Sequence, residues 1–105
     1  MSNNIRVDKL KAMLQEQPDD SFLNFALGLE YVKMEQYDAA LAAFEGIVQR
    51  DAQYTGVYYH LGKLYERFGL ESKAIATYEA GMEVCKEKKE THNFNELRGA
   101  LDALL

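Results

Sequence analysis

The sequence predicts an all-α fold of about six helices arranged as antiparallel pairs. Three observations carry that prediction. The chain repeats itself at 34-residue spacing, its apolar residues recur at helical intervals, and no segment shows the period-2 alternation of a half-buried strand.

The repeat appears when residues 21–54 are written above 55–88 without a gap. Leu27-Gly28 then stands over Leu61-Gly62, Tyr31 over Tyr65, Ala40 over Ala74, and Phe44 over Tyr78. Each match has a physical reason. Gly28 and Gly62 fall inside helices, where glycine costs about 1 kcal/mol relative to alanine. Such a cost is sensible where a neighbouring helix crosses so closely that a Cβ would clash. Ala40 and Ala74 suit the same approach from the other side. The large rings fill space opposite the small residues, which is how packed layers interdigitate.

The register extends backwards. Subtracting one period from Ala52 gives Pro18, the single proline of the chain. Leu10, Met13 and Leu14 then underlie Phe44, Ile47 and Val48, so residues 4–18 read as the second helix of a half-repeat. Forwards, the register breaks. Phe94, Leu97, Leu101 and Leu104 form an apolar stripe, and Asn93 with Glu96 resembles a capping box that opens a last helix. That helix, within 93–105, is expected to cover the face a third repeat would occupy. The predicted helices lie near 4–16, 21–34, 37–50, 55–68, 71–88 and 93–104, with Gly69 as a C-cap. Connections of two to four residues make sequential helices antiparallel.

LGLEY and LGKLY, followed at constant offset by YDAALAAF and SKAIATY, resemble the tetratricopeptide repeat. That family's pattern is W-x2-L-G-x2-Y, then A-x3-F, then P, in about 34 residues. Asn24 stands where its aromatic usually stands in the first repeat, and Tyr58 stands there in the second. Ala52 and Lys86 replace the terminal proline. The resemblance implies a right-handed superhelical array forming one domain over 1–105. It also implies a protein–protein interaction module, an adaptor or scaffold, whose first helices line a concave face.

On that face the resemblance places Phe22, Phe25, Leu29, Val32 and Lys33 from the first repeat. From the second it places Tyr59, Lys63, Glu66 and Arg67. Of the twelve Phe and Tyr residues, Tyr31, Tyr37, Phe44, Tyr58, Tyr65 and Tyr78 are assigned to the core. Surplus aromatics on a surface are what a binding face needs. Two other uses stay open: Phe25 and Tyr59 packed together as core, and the whole stripe closing a homodimer. A clamp of Lys, Asn and Arg for acidic chaperone tails looks absent, since Phe25 and Leu29 occupy its first-repeat positions. An apolar or mixed peptide with one acidic group near Lys63 and Arg67 fits better.

Composition narrows the alternatives. The 105 residues are 48% hydrophobic and 28% charged, a globular balance, with net charge −5. Phosphate backbones need clustered Lys and Arg, so no nucleic-acid partner is expected. No apolar run reaches the ~18 residues of a membrane span, and the charged N-terminus has no signal-peptide core. A single cysteine, Cys85, fits a reducing, cytoplasmic location. Cys85 reads as a helix-end thiol in a solvated CKEKKE run, and His60 and His92 as surface or rim residues. These three make neither a zinc set nor a nucleophile pair. No glycine-rich phosphate loop occurs. Carboxylates such as Glu16, Glu30 and Asp38 read as solvated. No catalytic residue, cofactor or metal is expected.

Overall fold

The computed structural model describes residues 4–105; the first three residues of the domain expected over 1–105 lie outside the described residues. The described residues form six helices and no strands. These are α1 (Ile5–Glu16), α2 (Ser21–Lys33), α3 (Tyr37–Arg50), α4 (Gly56–Arg67), α5 (Glu71–Lys88) and α6 (Thr91–Asp102). The chain divides into two compact units, one ending at Asp51 and the other running from Ala52 to Leu105.

In the first unit two side chains start the helices. The Asn4 carboxamide accepts from the Val7 N–H at 3.0 Å, and the Asp20 carboxylate accepts from the Leu23 N–H at 2.8 Å. Each satisfies a donor that has no partner within the helix, worth about 1 kcal/mol. Val7 and Leu10 of α1 pack with Leu23, Ala26 and Leu27 of α2, and Leu14, Tyr31 and Met34 close around them. Ala40, Phe44 and Ile47 of α3 are fully buried. The close approach at Gly28 is real: a Cβ there would overlap the Phe44 ring. Met13 departs from its expected equivalence with Ile47 and is 52% exposed. Leu10 and Leu14 take the positions that pack against the core, and Met13 lies off that side of α1.

Glu30 also corrects the sequence reading, because it is buried rather than solvated. Its carboxylate meets Arg6 Nε at 3.1 Å and Lys33 Nζ at 3.2 Å, and Asn4 Nδ2 donates to it at 3.5 Å. Burial alone would raise its pKa. The Lys33 and Asn4 hydrogen bonds and the two cationic charges outweigh that and hold it below the ordinary value. The carboxylate thereby ties the start of α1 to α2.

The second unit repeats the same contacts with different residues. A Cβ at Gly62 would overlap the Tyr78 ring, as at Gly28 with Phe44. Tyr58 Oη donates to the Ala52 carbonyl at 2.6 Å. One period earlier, Asn24 Nδ2 donates to the Pro18 carbonyl at 3.0 Å. The amide that replaces the family aromatic therefore keeps its hydrogen bond. Ser21 Oγ donates to Asp51 at 2.6 Å, and its equivalent Thr55 donates to Glu90 at 2.6 Å. In both units a hydroxyl at the start of the first helix holds a carboxylate just after the second.

Helix α6 packs against α5 and α4 through Leu97, Ala100 and Leu101. Gly81 makes room, since a Cβ there would come within 2.6 Å of Tyr58 Cβ and 2.9 Å of Leu97 Cδ1. The helix begins at Thr91, two residues before the expected capping box. Lys89 adopts a left-handed conformation (φ 59°), and the Glu90 N–H bonds back to the Cys85 carbonyl at 2.8 Å. This closure turns the chain from α5 straight into α6. Asn93 lies inside the helix and donates its amide to the Glu90 carboxylate at 2.9 Å. Cys85 is fully buried, not a solvated helix-end thiol. Burial, reinforced by the Glu90 charge and opposed by Lys88, pushes its pKa up.

Candidate interaction surface

Helix α2 has two unlike long sides. Leu23, Ala26, Leu27 and Glu30 are buried, while Phe22, Phe25, Leu29 and Val32 recur at i, i+3, i+7 and i+10 and keep part of their surface. Phe22 is 64% exposed in the first turn. Phe25 is half-buried, and its ring centroid lies 5.8 Å from that of Phe44, tilted by 39°. Leu29 and Val32 are half-buried, and Lys33 is exposed with its ammonium on Glu30. Phe25 thus serves the core as well as the surface, whereas Phe22 serves only the surface.

Helix α4 carries the other predicted residues within the second unit. Tyr59 is half-buried, with His60 at its edge (5.5 Å, 88°) and the Lys63 ammonium 5.5 Å from its ring centroid. Lys63 also pairs with Glu66 at 3.7 Å. Glu66 is half-buried and accepts a hydrogen bond from the Tyr78 hydroxyl. Burial, then the Glu66 contact, pushes the Tyr78 phenol far above its ordinary value. Burial lowers the His60 pKa, with Glu96 acting against it, so the imidazole is neutral at pH 7. Arg67 is exposed at the last turn.

Glu66 is therefore anchored from behind by Tyr78, and Lys63 is held between a ring and a carboxylate. The Lys63–Glu66 pair joins an exposed ammonium to a half-buried carboxylate at the helix surface. Two exposed apolar side chains drew no attention in the sequence: Ile5 (66%) and Leu70 (41%). Their only sequence signal is that they stand off the repeat's core positions. The Glu30–Lys33 pair has an i,i+3 spacing from which it could have been found, but Glu30 was read as solvated. Among the described residues no group of His, Cys, Asp and Glu is placed to hold a metal ion. No helix there is long and apolar enough to cross a membrane.

A tetratricopeptide repeat family model matches residues 2–80. The crystal structure of a tetratricopeptide repeat domain protein from Salinibacter ruber is 42% identical, with a TM-score of 0.79. It covers 81% of this chain and 94% of its own. The solution structure of a Bordetella parapertussis protein is 29% identical over 98% of this chain and 89% of its own, with a TM-score of 0.81. The Yersinia enterocolitica type III secretion translocator chaperone SycD shares the fold. It is 19% identical, with a TM-score of 0.85 over 93% of this chain and 68% of its own. No curated protein matches the chain.

Proposed function

The chain belongs to the tetratricopeptide repeat family, and from that premise we propose that it holds a peptide or helix of another protein, with the open side of α2 and the open side of α4, each within its own unit, as candidate surfaces. The family is a non-catalytic, protein-interaction fold, so the chain is an interaction module in that general sense. The observation that carries the finer reading is the apolar stripe of α2. Phe22 is 64% exposed, and Phe25, Leu29 and Val32 are only half-buried along the same side. A lone exposed apolar residue needs no explanation, but four in register along one helix suit an apolar ligand face.

On α4 the corresponding residues are Tyr59, Lys63, Glu66 and Arg67, which are aromatic and charged. Each face taken by itself, α2 suits an apolar ligand and α4 suits one that carries an acidic group for Lys63 or Arg67. Adaptor action, a cytoplasmic location and the absence of catalysis are parts of this same proposal; a single cysteine, which can form no internal disulfide, fits that location.

Phe22→Ser is the clean test, because Phe22 contributes little to the core. Captured partner should fall away while the melting temperature changes by no more than a surface substitution allows, within about 0.5 kcal/mol of stability. Partner retention by this variant would remove the α2 face from the proposal. The competing use of the same stripe is self-association. Sedimentation of the wild type and Phe22→Ser distinguishes it, since a dimer that dissociates in the variant would favour that reading.

A further inference from the structure

Helix α1 rests on α2 through few side chains. Of its twelve residues only Val7 and Leu10 are buried, in one cluster with Leu23, Ala26 and Leu27. Helix α3 meets α2 elsewhere, with the Phe44 ring against Gly28 and the Phe25 ring. The start of α2 is capped by Asp20, which lies outside α1. The α2–α3 pair is therefore complete without α1. The converse does not hold, because a free helix of about twelve residues is marginal in water and α1 needs docking to stay ordered.

The first turn of α1 is fastened by charge. Glu30, buried on α2, receives Arg6 of α1 at 3.1 Å and Asn4 at 3.5 Å, beside Lys33 of its own helix at 3.2 Å. Asn4 also caps α1 and lies 3.3 Å from the Met34 sulfur, so capping and fastening fall to the same residue. Lys11 adds a weaker contact, its ammonium 6.0 Å from the Tyr31 ring centroid. The repeat itself does not demand a carboxylate at this position. One period later the equivalent residue is Leu64, which is buried too. A leucine holds a neighbouring helix by burial alone. A buried carboxylate stabilises the contact only while its cations stay in place, and losing one of them leaves a desolvated charge behind.

We propose that α1 is a detachable cover latched by Glu30, leaving α2 as one unit while α2 and α3 remain paired. The connection through Pro18 is the pivot, and opening uncovers Leu23, Ala26 and Leu27. In the open form α2 presents apolar side chains along both of its long sides, these three and the Phe22 stripe. The proposal does not depend on what that stripe binds.

The test is native-state amide exchange of the isotope-labelled chain, followed by NMR over a series of low urea concentrations. Amides at 10–14 in α1 should exchange faster than those at 44–48 in α3, and with a shallower urea dependence, because less surface is exposed when α1 alone opens. Glu30→Gln keeps the shape of the side chain and removes its charge; exchange at 10–14 should rise about tenfold. Arg6→Gln should also speed α1, yet add little in the Glu30→Gln background, where its partner charge is gone. Ile47→Val weakens the α3 core and should speed 44–48 about fivefold while leaving 10–14 unchanged, since α3 stays folded when α1 opens. A shared urea dependence for the two helices, or acceleration of 10–14 by Ile47→Val, would overturn the separate opening of α1. Unchanged exchange at 10–14 in Glu30→Gln, or fully additive effects of Arg6→Gln and Glu30→Gln, would overturn the latch.

Discussion

A methyl group added at Gly28 or Gly62 has nowhere to go, because the ring of Phe44 or Tyr78 already fills its place. Two effects then compete in Gly28→Ala and Gly62→Ala. Helix propensity favours alanine by about 1 kcal/mol, and overpacking of a buried ring costs about 1–3 kcal/mol. Both rings are fully buried, so overpacking should win. Each variant is expected to unfold at lower urea concentration than the wild type, and an unchanged or higher midpoint would mean the rings yield easily. The Phe pair on α2 behaves differently. Phe25→Ser removes a ring that packs on Phe44 and should cost roughly 1–3 kcal/mol in urea unfolding. Equal stability of Phe25→Ser and Phe22→Ser would contradict the division between core and surface. Asn24 and Tyr58 illustrate how chemistry outlasts residue type. One is an amide and the other a phenol, yet each donates to the carbonyl six residues earlier.

Three of the helices end by the same closure, in which a residue of positive φ lets the next N–H bond back to a carbonyl five residues before it. Glu35, Gly69 and Lys89 occupy the left-handed position. The returning bonds run from Gln36 to Tyr31, Leu70 to Tyr65 and Glu90 to Cys85, each at 2.8 Å. Only Gly69 adopts that backbone without a Cβ penalty. Glu35→Gly should therefore stabilise the chain by up to about 1 kcal/mol, read as a higher thermal midpoint; a lower one would show that Glu35 has a compensating contact. The same closures explain what the sequence could reveal of the elements. Gly69 was legible as a helix end because glycine advertises the left-handed position. At Glu35 and Lys89 the residue type gives no such signal. The start of α6 was consequently misplaced at Asn93, although its apolar stripe through Leu97 and Leu101 was read correctly. The exposure of Met13 and the burial of Glu30 were hidden for a related reason. Periodicity identifies a helix face, but which neighbour covers it depends on tertiary packing.

At the scale of the whole chain, folding and protonation are linked through Glu30 and Glu90. Arg6, Lys33 and Asn4 overcome the burial of Glu30, and hydrogen bonds from Thr55 and Asn93 are the main cause at Glu90. Both folded pKa values lie below the ordinary 4.5. On acidification the unfolded chain takes up these protons first, so the stability they contribute is present above that value and is lost as pH falls through the folded values. Thermal midpoints measured between neutral pH and pH 3 should fall on the acid side, and Glu30→Gln should flatten that fall. An equally steep acid limb in the variant would remove Glu30 from the linkage. The repeat architecture was legible because its contacts recur at a fixed offset, as Gly28 with Phe44 and Gly62 with Tyr78. The candidate faces were less so: the 34-residue register assigned Phe25 to the surface without showing its contact with Phe44. The fully buried Cys85 has a practical use as well. An aqueous disulfide reagent can reach this thiol only when the packing around the end of α5 opens. The labelling rate is then a native clock for that opening, with no foreign probe inserted. Comparing it with the rate of global unfolding would tell whether the α5–α6 corner breathes alone or only when its entire unit comes apart.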